Sequence, residues 1–222
     1  MTERLDAVAG CEFLDDRIRF ARIPQDIGRR GGSTRACPRR DEKHVLLTEI
    51  PILDEVLHAH VGVLGRDFVG YRNHTYRVVN LCVAQSSRDR DQLEKMAIAA
   101  AFHDMGIWTD GTFDYLPPSV RLASAHLAAA GRTEWTAEIS EMILEHHKIS
   151  EYLGAPCWLV EPFRRSDWVD VTRGLVTFGL SRSFLREIFS MWPSAGFHKR
   201  LVELELARLR THPWNPLPMM RL

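Results

Sequence analysis

From Thr48 to His212 the apolar residues of this chain recur at three- and four-residue spacing, and no clean apolar–polar alternation persists anywhere along it. That rhythm predicts an all-α fold and argues against sheet-based architectures. The segment TEIPILDEVLHAHVGVLG is amphipathic, with Pro51 tolerable in a first turn. DFVGYRNHTYRVVNLCVAQS follows, with Asp67 as its expected N-cap, and RDRDQLEKMAIAAAFHDMG ends before Gly106, read as a C′ residue. The loop IWTDGTFDYLPP carries Asp-Gly and Pro-Pro turn signals, and PPSVRLASAHLAAAG runs to a stop at Gly131. TEWTAEISEMILEHHK, opened by an imperfect capping box at Thr133, WLVEPFRRSDWVDVTRG, SRSFLREIFSMW and GFHKRLVELELARLRTH complete a bundle of about seven or eight helices.

At 222 residues the chain can build one domain with a real core, while two would be cramped. Residues 1–46 stand apart: IGRRGGSTRACPRRDEK has almost nothing to bury and predicts a poorly ordered extension before a helical domain over 47–222. Arg29, Arg30, Arg35, Arg39 and Arg40 are read as a solvated tail. The formal net charge is zero, so nothing electrostatic points to nucleic acid or an anionic membrane as a partner. Cys11, Cys37, Cys82 and Cys157 form no CxxC pair, which fits a reducing compartment. No apolar run reaches the roughly 18–20 residues of a membrane span, and the N-terminal segment lacks an apolar signal core. A cytoplasmic protein is expected.

Several helices deliver one His or Asp from a stripe that otherwise reads as core. His103 and Asp104 close the apolar run AIAAAFHD. His74 shares a helix face with Tyr71, Val78 and Leu81, His126 sits in ASAHLAAAG, His146 and His147 end MILEHHK, and Asp167 lies in FRRSDWVD. A single such histidine is more often a hydrogen-bonded core residue. A series of them in successive helices calls for common compensation, which a shared divalent cation provides.

The order His, His-Asp, His, Asp, one group per helix, resembles the HD-domain superfamily of metal-dependent phosphohydrolases over roughly residues 50–172. The resemblance implies an HD-type helical bundle in which His74, His103, Asp104 and Asp167 hold a metal, with Asp170 the alternative to Asp167. Dinuclear members add two histidines. His126 and His146 stand at those places, with His147 the alternative to His146 and Asp104 as the bridge. The implied cofactor is one or two divalent ions per chain, drawn from iron, manganese, nickel, cobalt or magnesium. Two departures stand out: Trp108 replaces the lysine of the HDxGK pattern, and HHKIS lacks the GYP signature of cyclic-dinucleotide phosphodiesterases.

The resemblance implies metal-activated water acting on a small phosphorylated substrate, a phosphate ester or nucleotide. Asp104 and Glu145 are the candidates to orient that water, and Lys148, Arg72, Arg164 and Arg165 to neutralise phosphate. Asp110 and Tyr115, in the loop after the His-Asp pair, are expected at the entrance. Two rival readings are a di-iron oxygenase similar to the inositol and organophosphonate oxygenases, and a non-catalytic ligand-binding module. The last helix is read as packing on the bundle or on a second copy of the chain, which would make a homodimer.

Overall fold

The computed structural model describes residues 19–20, 45–86, 89–215 and 217–220, and the basic cluster, Cys11, Cys37 and most of the expected N-terminal extension lie outside them. The fold is all-α. The helices are α1 (Pro51–Ala59), α2 (Val61–Leu64), α3 (Phe68–Val83), α4 (Arg90–Phe102), α5 (Gly106–Thr109), α6 (Leu116–Ala129), α7 (Thr136–Glu145), α8 (Val160–Val171), α9 (Arg182–Met191) and α10 (Phe197–Thr211). Eight of these are substantial, and α2 and α5 are single turns. One antiparallel pair, β1 (Arg19–Phe20) with β2 (Leu47–Glu49), is too short to leave a periodic trace in the sequence.

Helix α3 is the central post. It packs against α4 and α8, while α6 pairs with α7 and α1 with α4. From Gly70 to Val83 all but Arg72 are buried, including His74, Thr75, Arg77 and Asn80. A helix enclosed on every side normally reads as apolar all round; this one carries polar groups that each have a defined task. The Asn80 side chain accepts from Leu47 N at 2.7 Å and donates to Leu47 O at 3.1 Å, which pins β2 to the post. Arg77, fully buried, is clamped by both oxygens of Asp170 on α8. In α4 the buried run Ala97–Ala101, interrupted only by Ile98, lets neighbouring helices approach closely.

Several local expectations resolve differently. Asp67 precedes α3 but makes no cap bond; its carboxylate accepts from Trp108 Nε1 and Arg200 Nε, both at 3.0 Å. Gly106 is not a left-handed C′ residue but opens α5, where a Cβ would lie 2.5 Å from Tyr115 O. Its missing side chain permits a close approach. Gly131 does terminate α6 in left-handed conformation, φ +67°. No helix is long and apolar enough to cross a membrane among the described residues.

Candidate metal centre

Four places in the chain meet at one point beside α3. His74 projects from the middle of α3; His103 and Asp104 follow the last turn of α4; His146 and His147 follow α7; Asp167 projects from α8. All but His147 are essentially inaccessible, and His147 keeps 15% of its side chain exposed. Two groups, His74–His103–Asp104 and Asp104–His146–His147, each present ligand atoms within 4.8 Å of one another. Asp104 belongs to both.

The hydrogen bonds aim these side chains. His103 Nδ1 donates to Ala100 O at 2.8 Å and His146 Nδ1 to Ile143 O at 2.7 Å, each a carbonyl of the preceding turn. Both rings therefore turn Nε2 inward. His74 is oriented from behind by Asp170 Oδ2, 2.5 Å from its Nδ1, and its Nε2 lies 2.9 Å from His103 Nε2. Around these nitrogens, His103 Nε2 is 3.3 Å from Asp104 Oδ2, His74 Nε2 is 3.6 Å from Asp167 Oδ1, and His146 Nε2 is 3.5 Å from Asp104 Oδ1.

Asp104 Oδ1, His146 Nε2 and Asp167 Oδ2 are buried with no hydrogen-bond partner. Three orphaned acceptors in one cluster, with His146 Nε2 3.5 Å from Asp104 Oδ1 and Asp167 Oδ2 3.5 Å from His147 Nδ1, would cost several kcal/mol as a purely structural feature, at about 1–3 kcal/mol each. Cations bound within the cluster would satisfy them. The donor set, imidazole and carboxylate, suits a divalent transition metal. These buried His and Asp groups could hold a metal ion.

Titration behaviour follows from the crowding. Burial drives His74 down to about 4, despite Asp170. Burial also opposes the charged form of His103, but Asp104 and Asp167 overcome it and raise that imidazole to about 9. Burial pushes Asp167 up, with Asp104 adding to the rise. Asp170, although buried, is held well below the carboxylate range by His74 and Arg77.

A cavity of about 330 Å³ opens onto this cluster, reaching Asp104, His147 and Asp167. Its walls are mainly apolar, Ile107, Phe113, Trp168, Leu201 and Met219 among them, and Tyr115, Arg173, His198 and Glu205 line it as well. Tyr115 Oη lies 2.7 Å from His147 Nε2, and burial keeps the tyrosine protonated.

Of the residues expected at the site, His74, His103, Asp104, His146, Asp167 and Tyr115 are brought together here. Asp167 faces the cluster, while Asp170 supports it from behind. Both His146 and His147 face inward, where only one was expected. His126 does not belong: it sits half-buried on α6 with its ring 5.4 Å from that of Phe102. Arg72 is spent on Asp54, at 2.7 and 3.1 Å, and Arg164 on Glu161 and Lys148 O. Lys148 Nζ and Glu145 Oε2 lie 3.3 Å apart, and Asp110 pairs with Arg121. None of these last five lines the cavity. Arg77, Arg173 and the wall supplied by α10 were not foreseen, since nothing local in their sequence marks them. No protein-family model, curated protein or solved structure matches this chain.

Proposed function

We propose that this protein is a metal-dependent hydrolase of the HD type, acting on a small substrate admitted through the cavity. The observation that carries the reading is the clustering of Asp104 Oδ1, His146 Nε2 and Asp167 Oδ2, buried and unpartnered, where Asp104 and Asp167 line a mainly apolar cavity. A divalent ion bound there supplies Lewis-acid polarisation and a water of lowered pKa. His74, His103 and Asp104 would hold one ion, with Asp167 Oδ1 3.6 Å from His74 Nε2 and 3.7 Å from His103 Nε2 as a further ligand, and Asp104, His146 and His147 a second. Asp170 fixes the His74 ring, and Tyr115 fixes that of His147. The apolar walls exclude bulk water from the far side of the substrate.

With a phosphate ester, water oxygen bonds to phosphorus as the ester P–O bond breaks, and the departing alkoxide takes up a proton. Arg72, Lys148 and Arg164 are engaged elsewhere, so the bound ions would carry most of the compensation for phosphate charge at the cluster. Elemental analysis and a phosphate-release screen over small esters test the reading. We expect at least one metal per chain and metal-dependent release of phosphate. His103→Ala and His146→Ala should lose metal and turnover, and His126→Ala should keep both. Full metal content in the first two variants, or no release from any ester by metal-replete protein, would sink it.

Two ligand groups sharing Asp104 also favour a second reading, a di-iron oxygenase. Two irons per chain with substrate-dependent dioxygen uptake on phosphonates or polyols would select it. Uptake equal to the enzyme-free control would remove it.

A further inference from the structure

Helix α8 ends at Val171, and its closing turn is a Schellman arrangement: Arg173 N donates to Asp170 O and Gly174 N to Val169 O, both at 2.8 Å. The left-handed position of that motif favours glycine, yet here it holds Arg173 at φ +53°. Phe178 and Ala195 are the other described non-glycine residues with positive φ, and neither lines the cavity. Arg173 does. Its guanidinium has no ion pair or hydrogen bond among the described residues, although Glu205 faces the same cavity. The other cations expected near the site are all paired off the cavity wall. An arginine kept at a strained position, unpaired and lining a cavity, is arranged for a ligand rather than for the fold.

The chain's geometry sets where that ligand group lies. Arg173 lies beyond the end of α8, whose last residue, Val171, is four residues and about 6 Å of helical rise from Asp167. The apolar lining includes Val171 and Trp168 of α8 and Leu201 and Val202 of α10, and His198 and Glu205 of α10 line the cavity as well. The cavity therefore carries metal-ligating groups together with an exposed, unpaired cation just past the end of α8.

We propose that Arg173 is a specificity-determining residue. The substrate would be a small molecule with an apolar body and an oxyanion, carboxylate or phosphate, at the end remote from the reacting bond. This rests on the hydrolase reading for the reacting end only; the anion contact stands or falls separately.

The test uses metal-loaded full-length protein and three probes: hexanoate, hexyl phosphate and the neutral hexanamide. Binding is measured by calorimetry to the parent protein and to Arg173→Gly and Arg173→Lys, with metal content and Tm determined for each. We expect the parent to prefer one or both anions over the amide by about tenfold or more. Whichever anion shows the preference identifies the group. Arg173→Gly should abolish that preference, keep its metal and raise Tm, because glycine relieves the backbone. Arg173→Lys should retain part of the preference. A preference that survives Arg173→Gly would place the anion on the metal ions and overturn the proposal. So would the absence of any preference in the parent, or a lower Tm in Arg173→Gly. Failure of ester hydrolysis with the anion preference intact would instead overturn the hydrolase reading alone.

Discussion

Both carboxylate oxygens of Asp170 are engaged by His74 and Arg77, so its removal should reach both the candidate metal centre and the fold. It accepts from His74 Nδ1 and neutralises the fully buried Arg77. Asp170→Asn should weaken metal binding about 10–100-fold, as loss of a ligand-orienting partner does. It should also destabilise the protein by about 3–5 kcal/mol, because Arg77 is left as a buried charge without its counterion. Metal titration and urea unfolding check the two effects. An Asn variant with unchanged metal affinity would show that the His74 ring is held by packing alone. Most of the cluster was readable in the sequence because His74, His103, His146 and Asp167 interrupt stripes that are otherwise apolar. His126 misled for a specific reason: its neighbours Ala125, Ala128 and Ala129 look like core but are exposed. Alanine buries so little area that it marks no face. Arg77 and Asp170 were unreadable as a pair because their contact spans 93 residues.

The turn between α4 and α5 carries the His-Asp pair, and Gly106 sets how close that turn comes to the start of α6. A Cβ there would lie 2.5 Å from Tyr115 O and 3.0 Å from Pro118 Cβ. Backbone oxygen cannot yield as a side-chain tip can, so Gly106→Ala should cost at least about 1–3 kcal/mol. It should also lower metal affinity, since the displaced turn holds Asp104. Thermal unfolding and metal content check this; an unchanged Tm would mean that the α5–α6 contact is slack. The longer helices followed from periodicity. The two-stranded pair and the single turns α2 and α5 did not, being shorter than the window in which a period can be recognised. The imperfect capping box at Thr133 forms a 3₁₀ turn, Thr133–Trp135, ahead of α7, with no side-chain cap.

Burial of weakly acidic groups gives the protein a pH limit on the alkaline side. Burial raises the Cys82 thiol to about 12, with Ser166 and Ser86 opposing only in part. Burial likewise raises Tyr71 and Tyr115 well above their ordinary value. In each case the folded pKa exceeds the unfolded one, so the unfolded chain loses protons that the folded chain keeps. Their stabilisation is complete below pH about 8.5 and is lost as pH rises toward 12. Tm should therefore fall between pH 8.5 and 10.5, and Cys82→Ala should make that fall shallower. A Tm constant across the interval would contradict the burial of these groups.

The contacts of His74 tie the chain to itself across very different spans: His103 lies 29 residues on and Asp170 lies 96 residues on. An ion at this point would close the shorter span, and the His74–Asp170 bond closes the longer, into rings sharing one vertex. The entropy of closing a ring grows only with the logarithm of its length, about 0.6 kcal/mol per doubling, so the larger ring costs little more than the smaller. Helices α4 to α8 lie inside the rings and cannot peel away singly while the vertex holds. Helix α10 lies outside them, buries only Phe197 and is tied down through His198 to Asp170 O and Arg200 to Asp67, so it should open before the enclosed helices. The part of the cavity wall that α10 supplies thus belongs to the less constrained portion of the molecule, and the candidate metal ligands to the portion that the rings enclose.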